Sequence, residues 1–170
     1  PYAQKAVNVL NSNTFPVLTF TAYSTDSGYG IRFYAPTLAI AYDWLFDSPL
    51  LTQPMKNAIA SQLTNWLNYY AASGYANDAP ISNYHSGYMI AGVMAAIALN
   101  GEYANAATIW ANALARYNIS QAEFDQLMPG GHWPEGWNYG PLSYQSYLLA
   151  GAALRQYTGD ATFVNGKQWM

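Results

Sequence analysis

The chain contains no cysteine and carries little charge. Without cysteine among its 170 residues, the protein forms no disulfide bond, thiolate nucleophile or cysteine–zinc site. Only 9% of the residues are charged, whereas about 25% is usual for a soluble domain. Six lysines and arginines are too few to build a basic patch, so we expect no nucleic-acid partner.

Long apolar runs are missing as well. The mean hydropathy is −0.08, and no uninterrupted apolar run reaches the roughly 18 residues of a transmembrane helix, so we expect no membrane span. The two histidines and the scattered carboxylates lack the spacing of metal ligands. We therefore expect neither a metal site nor another cofactor.

Aromatic residues, in contrast, are abundant. They make up 16% of the chain, with 16 tyrosines and six tryptophans, which excludes a disordered chain. Aromatic faces beside neutral amides and hydroxyls suit sugars, whose C–H faces stack on rings. The alternative interpretation is a tyrosine-rich helical core. The low lysine content and the many Asn and Tyr residues favour an exported protein, either secreted or periplasmic.

Hydrophobic spacing predicts helices and no sheet. The expected helices cover residues 2–10, 35–46, the segment from cap Thr52 to Ala72, 83–99 capped by Ser82, 103–117, a short turn capped by Ser120, and 141–157. The helices at 35–46, 83–99 and 141–157 are apolar nearly all round, which is typical of buried helices. Residues 12–30 and 128–138 are expected to be loops. We therefore predict one all-α domain over 1–170, in which helical hairpins form a curved array or an incomplete (α/α) toroid.

Two polar segments precede or begin buried helices, at 82–88 and 130–140. A helix N-terminus has unpaired N–H groups and a partial positive charge, so it attracts a carboxylate. The same charge disfavours protonation of His85, which would then act as a base. Alternatively, Asn83 and His85 only cap the helix.

Several motifs carry a family resemblance. They are Ala41–Asp47 with Leu51-Thr52, Asn83 and His85 with the small-residue helix after them, Gly101-Glu102, and Pro134-Glu135-Gly136 with Tyr139-Gly140. In order and spacing they resemble the helical domain of heparinase II/III-like and alginate-lyase-like polysaccharide lyases. The resemblance extends over about Arg32 to Gly159.

The resemblance implies β-elimination on an acidic, uronate-containing polysaccharide in an aromatic cleft. It implies that Asn83 neutralises the substrate carboxylate and that His85 acts beside the C5 proton as the base or its partner. Tyr139 would protonate the leaving oxygen or serve as the base for the other stereochemistry. The substrate-binding residues would be Tyr84, Tyr88, His132, Trp133, Glu135 and Trp137.

Relatives of this kind usually continue into a β-sandwich domain, which these 170 residues do not contain. We therefore expect the chain to be part of a longer protein or a degenerate relative. In a second interpretation the chain is a non-enzymatic helical-repeat module that binds glycan or self-associates.

Glu135 has two further interpretations. With Asp43 or Asp26 it would form the carboxylate pair of a glycoside hydrolase. In the architectural interpretation, which we favour, it fixes its loop or pairs with a cation such as Arg32.

Overall fold

The computed structural model describes residues 1–12, 28–72, 80–167 and 169. Its helices are α1 (Tyr2–Leu10), α2 (Ile31–Leu45), α3 (Gln53–Ala72), α4 (Asn83–Leu99), α5 (Ala106–Leu127) and α6 (Gly140–Thr158), followed by a 3₁₀ turn at Ala161–Phe163. No β-strand occurs within the described ranges. The predicted all-α class is thus confirmed.

Helix α4 is the centre of the fold. It packs between α2 and α6 and also contacts α3 and α5. Thirteen of its 17 residues are buried, and none of its residues is a lysine, arginine, aspartate or glutamate. A helix that is apolar all round can be enclosed by neighbours on every side. The prediction that residues 83–99 form a buried helix is therefore confirmed.

Helices α2, α4 and α6 run in the same direction. At their starts, Arg32 of α2 hydrogen-bonds Asn83 of α4, and Ser86 of α4 lies 3.4 Å from Ser143 of α6. Beyond the other end of α4, the Asn100 amide donates to the Tyr157 hydroxyl near the end of α6. The N-terminal ends of the three helices consequently meet at one rim of the molecule, where the two polar segments lie.

Two apolar cores lie on either side of α4. One joins α4 to α1, α2 and α3 around the fully buried Trp66. The other joins α4 to α5, α6 and the C-terminal segment. In this second core Phe124 meets the rings of Tyr147, Trp133 and Trp169 edge to face. Many of the aromatic residues are thus core residues, as the alternative interpretation of the composition held.

The largest differences from the predicted helix boundaries are at the start of α2 and the end of α5. Helix α2 starts at Ile31 and not at Ala35, so Pro36 lies inside the helix instead of in its first turn. Helix α5 continues unbroken to Leu127, because the buried Ser120 does not cap a new turn. Its hydroxyl instead donates to the Arg116 carbonyl one turn earlier. Most of the loop predicted at 12–30 lies outside the described residues.

A glycine on α6 allows close packing, and this makes a testable prediction. A Cβ at Gly151 would lie 2.6 Å from the Tyr117 hydroxyl oxygen and 2.7 Å from the Phe163 carbonyl oxygen. We expect Gly151→Ala to lower the free energy of unfolding by about 1–3 kcal/mol, as overpacking does. Urea unfolding with an unchanged m value measures this loss.

Gly92 of α4 is the matched control. A Cβ there would meet only the Leu67 Cδ2 atom, at an ordinary 3.7 Å. Gly92→Ala should therefore stabilise the protein by about 0.5–1 kcal/mol through helix propensity. Equal stability of the two variants would contradict the packing at Gly151.

Candidate functional site

A hollow of about 100 Å³ opens between α3, α4 and α5. The polar residues that line it are Asn68, Tyr70, His85, Tyr88, Asn112 and Arg116. We call it the His85 hollow. Helical spacing explains the lining, since His85 and Tyr88 are three residues apart on α4 and Asn112 and Arg116 are four apart on α5.

His85 has one occupied and one unoccupied ring nitrogen. Its side chain is only 4% exposed, and its Nε2 lies 3.5 Å from the Ser120 Oγ. The Ser120 hydroxyl also donates to the Arg116 carbonyl. The other nitrogen, Nδ1, is buried and has no hydrogen-bond partner among the described residues.

The imidazole of His85 is held uncharged at neutral pH. Burial, and secondarily the positive charge of Arg116, lower the pKa of His85 to about 4. A neutral imidazole beside a guanidinium, phenol hydroxyls and amides can accept a proton from a substrate whose negative charge the guanidinium holds. The hollow thus has the composition of an acid–base site.

Asn83 lies on the other side of α4. Residues two apart on a helix are about 200° apart around its axis, so Asn83 and His85 project in nearly opposite directions. The Asn83 side-chain amide donates to Glu135 Oε1 over 2.9 Å, and its backbone N–H donates to Oε2 over 2.6 Å. The Trp133 indole N–H donates to the same Oε2 over 3.0 Å. The N-terminus of α4, which was predicted to attract a substrate carboxylate, therefore binds the carboxylate of Glu135.

Arg32 supports this arrangement from α2. It is 5% exposed, and its Nη2 donates over 2.6 Å to the Asn83 carbonyl. Its guanidinium also lies 4.2 Å from the centre of the Tyr29 ring. Burial lowers the pKa of Arg32, and nearby groups including Glu135 oppose that shift. Glu135 is thus linked to Arg32 through Asn83.

The carboxylate pair of a glycoside hydrolase finds no geometric support. Asp43, in the last turn of α2, lines a groove with Ile97 and Gln156 near the C-terminal ends of α4 and α6. Glu135 lies at the opposite rim, against the start of α4. Asp26, the other proposed partner, lies outside the described residues.

A second hollow lies beside the loop at 128–139 and contains three of the other predicted substrate-binding residues. It measures about 310 Å³ and includes His132, Trp133 and Trp137 in its lining. We call it the loop hollow. Tyr139 follows it in sequence, is 43% exposed and lines neither hollow. Tyr84 lies elsewhere, with its ring edge-on to Tyr29 at 5.8 Å.

The structure therefore brings together two sets of the predicted site residues. Asn83, Glu135 and Trp133 are joined by hydrogen bonds, and Tyr88 shares the hollow of His85. His85 and Tyr139 do not line the same hollow. The catalytic roles assigned to these residues remain predictions.

The sequence alone did not identify the residues that face His85 from the outer helices. Tyr70 on α3 stacks on Tyr88 with ring centres 4.6 Å apart, and Asn112 and Arg116 approach from α5. The spacing of Asn112 and Arg116 does predict a shared helix face. Nothing in the sequence indicates that this face turns towards His85.

Comparison with protein-family models, curated proteins and solved structures gives no match to the chain. None of the helices that the structure describes has both the length and the apolar character needed to cross a membrane. In the same described ranges, no group of three or more His, Asp or Glu residues is arranged to hold a metal ion.

The contacts of Glu135 lead to a second stability prediction. Glu135→Ala should lower the free energy of unfolding by about 2–3 kcal/mol, because it leaves the donors of Asn83 and Trp133 without their charged acceptor. Glu135→Gln should lose less, since an amide oxygen still accepts. Glu102→Ala, which removes an exposed carboxylate, should change stability by under about 0.5 kcal/mol. An equal loss in the Glu102 and Glu135 variants, measured by urea unfolding, would contradict the assigned role.

Proposed function

We propose that this chain is the helical domain of a lyase that cleaves acidic, uronate-containing polysaccharides by β-elimination at the His85 hollow. One observation carries the proposal. An uncharged, buried imidazole lines an open hollow together with a guanidinium and two phenols. These are the groups that proton abstraction beside a carboxylate requires.

The proposed reaction moves one proton to the protein and one to the leaving group. Arg116 holds the uronate carboxylate and offsets the negative charge that develops on it. The imidazole of His85 takes the C5 proton, the C5–H electron pair forms the C4–C5 double bond, and the C4–O bond breaks. Tyr88 donates a proton to the departing oxygen. The products are an unsaturated uronate and a shortened chain.

The architecture agrees with this proposal. Helices α2, α4 and α6 share one direction, with α3 and α5 packed against α4. In our proposal this is part of an incomplete (α/α) toroid that continues into further domains, in a protein acting outside the cytoplasm. An acidic polymer would approach along the rim where the three inner helices start.

The test uses the unsaturated product, which absorbs ultraviolet light. The purified chain is incubated separately with polygalacturonate, alginate and hyaluronate, and absorbance is followed with time. We expect absorbance to rise with at least one polymer. If no polymer yields the product although the chain binds it, the lyase proposal fails.

A second candidate function is a non-enzymatic module for glycan binding or self-association. Exposed aromatic side chains favour it, since Trp44 is 81% and Trp137 is 92% exposed. Light scattering over a concentration series would reveal association. Retention of glycan without product would identify the binding module.

A further inference from the structure

Two asparagines of the chain are followed by glycine, at Asn100-Gly101 and at Asn165-Gly166. The backbone nitrogen of the next residue can attack an asparagine side chain, and glycine hinders that attack least because it has no Cβ. The two pairs have the same sequence but different surroundings in the structure. Those surroundings decide how readily each pair reacts, whatever the function of the protein.

Asn165 is exposed and lies just after the 3₁₀ turn at Ala161–Phe163. Its own backbone N–H donates to the Ala161 carbonyl over 3.0 Å. Within the described residues, no hydrogen bond holds the Asn165 side-chain amide or the N–H of Gly166. A Cβ at Gly166 would meet no other part of the described chain within 4 Å. The amide and the nitrogen therefore have room to approach each other.

Asn100, in contrast, is held in place. It follows the C-terminal end of α4, and its side-chain Nδ2 donates to the Tyr157 hydroxyl over 2.9 Å. The Tyr157 ring in turn packs on Trp110 with centres 5.3 Å apart. An attack requires the Asn100 side chain and the Gly101 nitrogen to rotate towards each other, which breaks the hydrogen bond to Tyr157. That hydrogen bond therefore protects Asn100.

Asn118 shows that exposure alone is not sufficient. It is exposed but lies inside α5, where the N–H of the next residue, Ile119, belongs to the helical hydrogen-bond ladder. The β-branched side chain of Ile119 also crowds the approach to this nitrogen. At Asn165 an exposed and unbonded side-chain amide coincides with an unbonded N–H and a following glycine.

We propose that Asn165 is a site of spontaneous deamidation in the folded protein. The Gly166 nitrogen bonds to the side-chain carbon Cγ of Asn165, the bond between Cγ and Nδ2 breaks, and ammonia leaves with the proton of the Gly166 N–H. The product is a cyclic succinimide. Water then opens the ring at either carbonyl, which gives aspartate or isoaspartate. Each of these carries one negative charge more than asparagine.

The modified position lies between two anchors of the C-terminal segment. Phe163 on one side is 8% exposed and Trp169 on the other is 1% exposed. The Trp169 indole also donates to Gln121, and its ring stacks on Tyr144. Isoaspartate leads the main chain through the former side chain and lengthens it by one carbon atom, which changes the spacing between the anchors. The isoaspartyl form should therefore loosen the contacts of Trp169 and lower stability.

Peptide mapping by mass spectrometry tests the proposal. The purified chain is aged at mildly alkaline pH in water enriched in heavy oxygen, and the conversion of amide to acid is followed at Asn165, Asn100 and Asn118. We expect Asn165 to react about three- to tenfold faster than Asn100, the effect of one hydrogen bond, and Asn118 to remain intact. In concentrated urea, Asn165 and Asn100 should react at similar rates, because both precede glycine.

Two variants make the result specific. Tyr157→Phe keeps the ring on Trp110 but removes the acceptor of the Asn100 amide, so Asn100 should then react about as fast as Asn165. Asn165→Gln should suppress the reaction at that position, because the longer side chain would have to close a larger ring. Anion exchange separates the aged, more acidic form of the wild type, which should unfold at a lower urea concentration than the unreacted chain.

The proposal is overturned if Asn165 stays intact in the folded chain while it reacts in urea. It is also overturned if Asn100 reacts as fast as Asn165 in the folded wild type, or if Tyr157→Phe leaves the rate at Asn100 unchanged. Equal unfolding midpoints of the aged and unreacted forms would contradict the loosening of Trp169. None of these measurements involves unsaturated product, so this inference can fail while the lyase proposal stands, and the reverse.

Discussion

Replacing His85 by alanine is expected to lower the turnover of a uronate polymer by about 10²–10⁴-fold, the usual contribution of a positioned proton acceptor. Nδ1 of His85 is a buried ring nitrogen without a partner among the described residues. Neighbouring hydroxyls are far weaker bases at neutral pH and would not replace it. The initial rate of the ultraviolet absorbance increase measures the loss.

Two controls are needed. One distinguishes a loss of catalysis from a loss of folding, and the other tests whether the reaction occurs at Tyr139 instead. Removing the ring enlarges a hollow that already measures about 100 Å³, so added imidazole should partly restore turnover in His85→Ala. Restoration would not follow if the variant had simply lost its fold. Tyr139→Phe removes a hydroxyl outside the His85 hollow and should leave turnover within about threefold of wild type.

The opposite pattern would place the chemistry elsewhere. If Tyr139→Phe and Asn83→Ala abolish turnover while His85→Ala retains it, the reaction occurs at the rim, close to what the family resemblance implies. The His85 hollow would then be only a packing defect. Asn83→Ala must be judged together with its unfolding curve, because Asn83 also holds Glu135.

Acid should destabilise the folded chain through the same histidine. Burial lowers the pKa of His85 to about 4 in the folded protein, whereas the unfolded side chain titrates near 6.5. Between these values the unfolded state binds more protons than the folded state. The free energy of unfolding is therefore unaffected by His85 above about pH 6.5 and decreases as the pH falls towards 4. The shift corresponds to about 3 kcal/mol.

Urea unfolding at pH 7 and pH 4 measures this loss. Other groups titrate in the same range, so the difference between variants isolates His85. In His85→Phe the loss between the two pH values should be smaller than in wild type by about 3 kcal/mol. His132→Asn alters the chain's other histidine, which is exposed, and should retain the wild-type loss. Parallel pH profiles for all three proteins would contradict the burial of a neutral His85.

Local signals in the sequence were sufficient for most helix ends. The bounds of α1 and α4 match the prediction, and α6 differs by one residue at each end. The Ser82 hydroxyl accepts the Tyr84 N–H at the start of α4, and Gly159 ends α6 with a φ of +77°. Caps of this kind depend on residues adjacent in sequence, so they can be recognised without the fold.

Where tertiary contacts compete with local preference, the prediction was wrong. Ser120 followed by Glu123 resembles a capping box, yet α5 passes through it without a break. Gln121, the next residue, accepts a hydrogen bond from the indole of Trp169, which lies 48 residues further along the chain. Packing against the C-terminal segment keeps this part of α5 helical, and no local pattern reports that packing.

The sequence by itself determined that the chain is helical, that α4 is buried, and that Asn83, His85 and Glu135 lie at or near the starts of inner helices. Only the tertiary structure decided what those side chains meet. Asn83 binds Glu135 from 52 residues away, while His85, on the opposite side of α4, faces Tyr70 and Arg116. The physical reason is that caps and helical periodicity act within a few residues. The partners of a side chain depend instead on how whole helices pack.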